Sequence, residues 1–284
     1  MKKIRILSIL FFIHSSIVSI STTDPYLIIW DLGDTLIYVT IPGMVAQIGI
    51  ADCVLYQLFH AKDRNHLQNR IFDVLEAYGG IQEGPLHDRS YHTASHRQLP
   101  KVMCDWLAGI ILEPKKLVKK IHRKMKELSA QNFFKNELEY RIIKNAVAAI
   151  FNPDVLIKNT RVLKEALEIV KEIALSGLHR QTILSNWDGV SYDQFKASPA
   201  GQELSRYFNM DDITISGMLN IIKPQQVIFE ECLKRFGVTP EKCIFIDDQK
   251  ENIDAARSYG LIALQIKNHD FKQLRKDLAS WGIL

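Results

Sequence analysis

Cysteine is scarce in this 284-residue sequence: Cys53, Cys104, Cys232 and Cys243 are its only four, and they lie far apart. None of them has the short spacing of a zinc site or a redox pair, so thiolate-metal and dithiol chemistry have no basis here. The even number leaves disulfides open, while the apolar surroundings of Cys232 and Cys243 favour buried free thiols. Long hydrophobic runs are equally scarce. The most apolar stretch, "ILSILFFIHSSIVSI", is interrupted by His14, Ser15 and Ser16 and falls short of the roughly 20 residues that span a bilayer, so no stable membrane anchor is expected. A tail of like charges is missing too. The net charge of +4 and the pI near 8.7 are spread along the chain, which permits an acidic ligand but gives no footprint for nucleic acid.

What is present is a globular composition, 47% hydrophobic and 24% charged, long enough for one large core or two modest ones. The N-terminus stands apart. A basic "MKKIR", an apolar stretch and a small-residue "SIS" together make a signal-peptide pattern over residues 1–21, which implies a secreted or periplasmic protein. The alternative is a cytoplasmic domain that begins near Asp24 behind a fortuitous extension.

From Tyr26 onward, short β-branched runs alternate with helical patterns. "YLIIW" (26–30), "QTILS" (181–185), "ITIS" (213–216), "CIFI" (243–246) and "IALQI" (262–266) read as buried strands. Between the later ones, "RVLKEALEIVKEIAL" and "QQVIFEECLKRFG" repeat apolar residues at three and four, as helices do. The fold class that follows is α/β, a parallel sheet covered on both faces with its active edge at the carboxyl ends of the strands. The gap between the first two strands is too long for a simple crossover. Residues 41–150 carry helical patterns, including "LQNRIFDVLEAYG" and "LVKKIHRKMKEL", and should form an inserted all-α subdomain, leaving 22–40 and 151–284 as the core. Gly79, Gly80 and the polar stretch 86–100 divide the insert.

Four sets of polar residues fall at strand ends. Asp31 follows the first strand, Ser185 and Asn186 end the second, Lys223 and Pro224 follow the third, and Asp247 and Asp248 close the fourth. A parallel sheet brings all of them to one edge. There a carboxylate can attack phosphorus, a hydroxyl and an ammonium can hold the transferring oxygens, and further carboxylates can bind Mg²⁺. Without cation and lysine, Asp31 would repel a phosphate dianion.

"DLGDT", "ILSN", "IKPQQVIFEECL" and "FIDDQKENIDAA" resemble, in order, the four motifs of the haloacid dehalogenase-like (HAD) hydrolases. The resemblance covers about 26–37 and 160–268 and implies a Rossmann-like core with the helical insert as a cap. It makes Asp31 the nucleophile, Ser185 the phosphoryl-contacting hydroxyl with Asn186 beside it, and Lys223 the cation that orients the nucleophile. It makes Asp248 a Mg²⁺ ligand, Asp247 a ligand acting through water, Asn252 a support of the metal shell and the Gly33 carbonyl a further ligand. The implied partner is a small phosphorylated substrate.

One residue departs from the pattern. Most phosphatases of this family place aspartate two residues after the nucleophile, where it protonates the leaving group and then activates water; Gly33 can do neither. Three readings follow: a phosphatase for esters whose leaving group needs little help, a dehalogenase, or a binding protein that turns over little. Relatives similar to glucose-1-phosphate phosphatase carry glycine here, which supports the first. Asp34 reads as a turn residue. His87, His92 and His96 read as a solvated loop, and "KKLVKKIHRKMK" as the wet face of an amphipathic helix.

Overall fold

Every residue of the segment Leu27–Trp30 (β1) is apolar and buried, so this strand needs cover on both faces and a neighbour on each side. Both are supplied. In the computed structural model, which describes residues 25–59, 66–80 and 97–284, β1 is the middle strand of a five-stranded parallel sheet. The strands in chain order are β1, β2 (Ile37–Val39), β3 (Thr160–Val162), β4 (Arg180–Ser185), β5 (Thr214–Ile215), β6 (Cys243–Asp247) and β7 (Ile262–Gln265). The sheet order is β5-β4-β1-β6-β7, a Rossmann-like α/β arrangement. The expected signal peptide, residues 1–21, and His87, His92 and His96 lie outside the described residues.

Alternation along the strands sorts the side chains into two cores. Ile28 and Trp30 of β1 pack with Ile183, Ile244 and Ile246 against helices Lys164–Ser176, Gly189–Ala197 and Phe271–Ser280. Leu27 and Ile29 pack with Leu184 and Phe245 against helices Gln226–Phe236 and Lys250–Ser258. Cys232 and Cys243 sit in this second core, and all four cysteines are free thiols. Burial pushes Cys232 up to about 11 and Cys104 and Cys243 up to about 12, so these three are unreactive packing residues.

Register decides what meets at the carboxyl edge. Trp30 lies opposite Ile183 on one side and Ile246 on the other, and Asp31 N–H donates to the Ile246 carbonyl at 2.9 Å. Asp31, Ser185 and Asp247 therefore end up within one or two residues of the same level.

Between β2 and β3 the described residues form helices, seven in number, from Ile41–Ile48 to Pro153–Asn159. Their own core joins Ile71, Phe72, Val74 and Leu75 of helix His66–Gly79 to Leu117, Ile121, Met125 and Leu128 of helix Pro114–Ala130. Ile222, beside Lys223, is buried in it. The insert is pinned at its root by an antiparallel ribbon, Ile37 opposite Val162 and Val39 opposite Thr160. That ribbon corrects one sequence expectation: "RVL" opens as strand rather than helix, because β-branched Val162 pairs with Ile37, and the helix starts only at Lys164.

Candidate active site

Lys223 is the pivot of the site. Its side chain is almost wholly buried, and its ammonium donates to Asp31 Oδ1 at 2.6 Å, to Asp247 Oδ2 at 2.6 Å and to the Leu184 carbonyl at 3.1 Å. Three bonds use all three of its protons. Its backbone is fixed as firmly: Lys223 N–H donates to Asn186 Oδ1 at 2.7 Å and Asn186 Nδ2 returns a bond to the Lys223 carbonyl at 2.9 Å. The Lys223–Pro224 peptide is cis. Asn186, expected at the phosphate, thus has its amide engaged with the lysine backbone.

Asp247 is fully buried and held from three sides. Besides Lys223, Asn252 Nδ2 reaches both of its oxygens at 3.1 and 3.0 Å, and Gln249 N–H donates to Oδ1 at 2.8 Å. Asp248 differs: Gln265 Nε2 holds its backbone carbonyl at 2.9 Å, while its buried Oδ1 has no partner. Such an orphaned acceptor costs about 1–3 kcal/mol unless something binds there.

The electrostatics follow from this packing. Burial raises the Asp31 carboxyl to about 6, with Lys223 opposing and Asp247 adding to the rise. Burial, then the neighbouring Asp31, Asp247 and Asp34 charges, push Asp248 up to about 8. Burial works against the Lys223 ammonium, but Asp247 and Asp31 outweigh it and hold its proton more tightly than in water.

Asp31, Asp247 and Asp248 can each offer an oxygen within 4.8 Å of the others. When all three are ionised, three carboxylates against one ammonium leave two negative charges uncompensated, and an all-oxygen donor set suits a hard divalent cation. The residues present therefore fit Mg²⁺, with the orphaned Asp248 Oδ1 as the most direct sign.

Gly33 and Asp34 line an opening beside this cluster. A Cβ built on Gly33 would meet nothing nearer than Asp31 Oδ2 at 3.9 Å, so a larger side chain has room there. Asp34 takes a left-handed turn conformation at φ 51°, its side chain two-thirds exposed, which fits the turn role expected for it. Beyond lies a cavity of about 350 Å³ between the sheet edge and the insert, lined by Ser185, Asn186 and Trp187 on one side and Trp106 and Leu107 on the other. The insert is seated there by Ser216, whose hydroxyl donates to the Leu107 carbonyl at 2.6 Å and accepts from Trp187 N–H at 2.9 Å. Sequence reasoning missed Ser216 and the Asn186–Lys223 clasp, since neither contact leaves a local pattern.

A family model described as haloacid dehalogenase-like hydrolase matches residues 27–260. Among solved structures, a HAD family enzyme from Bacteroides thetaiotaomicron is similar with TM-score 0.51 at 17% identity, over 89% of this chain and 98% of that one. The same enzyme in complex with magnesium and inorganic phosphate gives TM-score 0.50 at 15% identity, over 88% and 98%. A 2-haloacid dehalogenase from Pseudomonas syringae gives 0.46 at 16%, over 90% and 99%. No curated protein matches.

Proposed function

Because the chain belongs to the haloacid dehalogenase-like hydrolases, we propose that it is a Mg²⁺-dependent phosphatase acting on a small phosphorylated metabolite through Asp31. The observation that carries this reading is the cluster of three carboxyl groups around one buried lysine at a sheet edge, with the buried Asp248 Oδ1 left without a partner. Lys223 takes Asp31 Oδ1 and so aims the carboxylate, leaving Oδ2 toward the Gly33 opening to attack phosphorus. Ser185, buried at the end of β4, binds a phosphoryl oxygen, and Asn186 keeps Lys223 in place. Asp31, Asp248, the Gly33 carbonyl and, through water, Asp247 would hold Mg²⁺, with Asn252 fixing Asp247. When bound, that cation supplies positive charge for the transferring phosphoryl oxygens. The similar Bacteroides enzyme is itself a magnesium and phosphate complex, which is consistent with this assignment.

Residues 41–150 serve as a helical cap, and the N-terminal pattern supports export. A dehalogenase needs no cation, so it leaves the acidic cluster without a purpose. The second reading, a phosphate-binding protein with little turnover, has Gly33 in its favour. Phosphate release from acetyl phosphate, whose leaving group needs no proton, separates the two. Mg²⁺-dependent turnover that drops by roughly 10³-fold or more in Asp31→Asn is expected; turnover that survives in that variant overturns the nucleophile.

A further inference from the structure

The cavity beyond Gly33 has a chemical bias. The apolar part of its lining includes Tyr38, Val39, Trp106, Leu107, Leu156 and Trp187, three of them aromatic. Of the polar side chains on the lining, Thr160 Oγ1 donates to the Leu156 carbonyl at 2.8 Å and the Asn186 amide is clasped to Lys223 in both directions; Ser185 stands at the phosphoryl end, Asp34 turns largely to solvent, and Trp106 Nε1 is buried without a partner. A polyol brought into this space would lose water from several hydroxyls and find few replacements, Trp106 Nε1 being the one buried donor on the wall without a partner. An aromatic ring would lose little and gain contact with Trp106 and Trp187.

Leaving-group chemistry points the same way. Gly33 offers no proton to the departing oxygen, so that oxygen must leave as a stable anion. A phenolate does so far more readily than an alkoxide.

Resting on the phosphatase reading above, we propose that the substrate class is aryl phosphate monoesters, with the ring in the Trp106–Trp187 cavity and the phosphoryl group at Asp31. Asp31 forms a bond to phosphorus as the bond to the aryl oxygen breaks, the electron pair leaving with the phenolate. Water then attacks the phosphorus of the aspartyl phosphate, releasing inorganic phosphate and restoring the Asp31 carboxylate; the water's proton goes to solvent, from which the phenolate takes one. The sum is aryl phosphate plus water giving phenol plus phosphate.

Two measurements test this separately from the reading it rests on. Phenylphosphonate and methylphosphonate have no leaving group and report binding alone, as competitive inhibitors of acetyl phosphate turnover. Phenylphosphonate should bind at least roughly tenfold more tightly, and Val39→Asp, placing a charge on the exposed wall, should erase most of that difference. Phenyl phosphate should exceed hexose 6-phosphates in kcat/KM by at least roughly 100-fold. Equal affinities for the two phosphonates, or hexose phosphates as the better substrates, overturn the aryl assignment while acetyl phosphate turnover leaves the phosphatase standing. If acetyl phosphate is inert, the phosphatase reading fails and the aryl assignment falls with it.

Discussion

Two residues apart in sequence, Asp31 and Gly33 divide the proposed reaction between them: in it one supplies the nucleophile and the other withholds the acid. The space beside Gly33 is open, and its nearest neighbour is the nucleophile's own Oδ2. An aspartate placed there would stand where a leaving group departs. Gly33→Asp should therefore raise turnover of alkyl phosphates by roughly 10²-fold or more, the usual contribution of a general acid, and change aryl phosphates much less. The check is a plot of log kcat/KM against leaving-group pKa, steep for the natural enzyme and flatter for the variant. Equal slopes would show that the missing acid is not what limits the rate. Asp34 offers no equivalent, since its left-handed turn leaves it largely in solvent, 3.9 Å from the His269 ring nitrogen.

At the scale of elements, the seating of the helical insert on the sheet edge depends on two backbones in close approach. Gly109 follows helix Lys101–Leu107 at φ +71°, and a Cβ there would lie 2.0 Å from the Gly217 carbonyl oxygen. Gly109→Ala must both strain the chain and lift the insert from the turn that carries Ser216. Gly177, at φ +64° with nothing within 4 Å, isolates the strain alone. Gly177→Ala should cost about 1 kcal/mol, and Gly109→Ala several times that in urea denaturation. Where Gly109→Ala remains folded, KM for phenyl phosphate should rise, because Trp106 and Leu107 form one wall of the cavity. Identical behaviour of the two variants would mean the contact does not hold the insert.

For the molecule as a whole, the acidic cluster makes stability depend on cation and pH together. The Asp248 carboxyl, raised from 3.8 to about 8, binds more protons in the folded state than in the unfolded one between those values. Stability of the cation-free protein therefore falls as pH rises through that window, and Mg²⁺, which displaces the proton, should stabilise more at pH 8 than at pH 6. Thermal melts with Mg²⁺ and after chelation read this directly. Asp248→Asn removes a crowded negative charge, so it should melt higher than the cation-free parent at pH 8 while losing most of the Mg²⁺ response. A variant that keeps the full response would remove Asp248 from the ligand set.

By itself the sequence determined the five-stranded core and the polar residues that gather at its edge, because buried parallel strands leave short apolar runs and Asp31, Ser185 and Asp247 each sit at the end of one. Asp31, Ser185 and Asp247 could be read this way since strand ends in such a sheet share an edge. It also determined the oddity at Gly33. Only the tertiary structure decided what surrounds that oddity. The Asn186–Lys223 clasp joins residues 37 apart, Ser216 reaches 109 residues back to Leu107, and the β2–β3 ribbon closes an insert more than 100 residues long. Such contacts carry no period and no local composition. They exist because the folded chain brings distant backbone groups within bonding reach, and the cavity between Trp106 and Trp187 is formed by the same long-range closure.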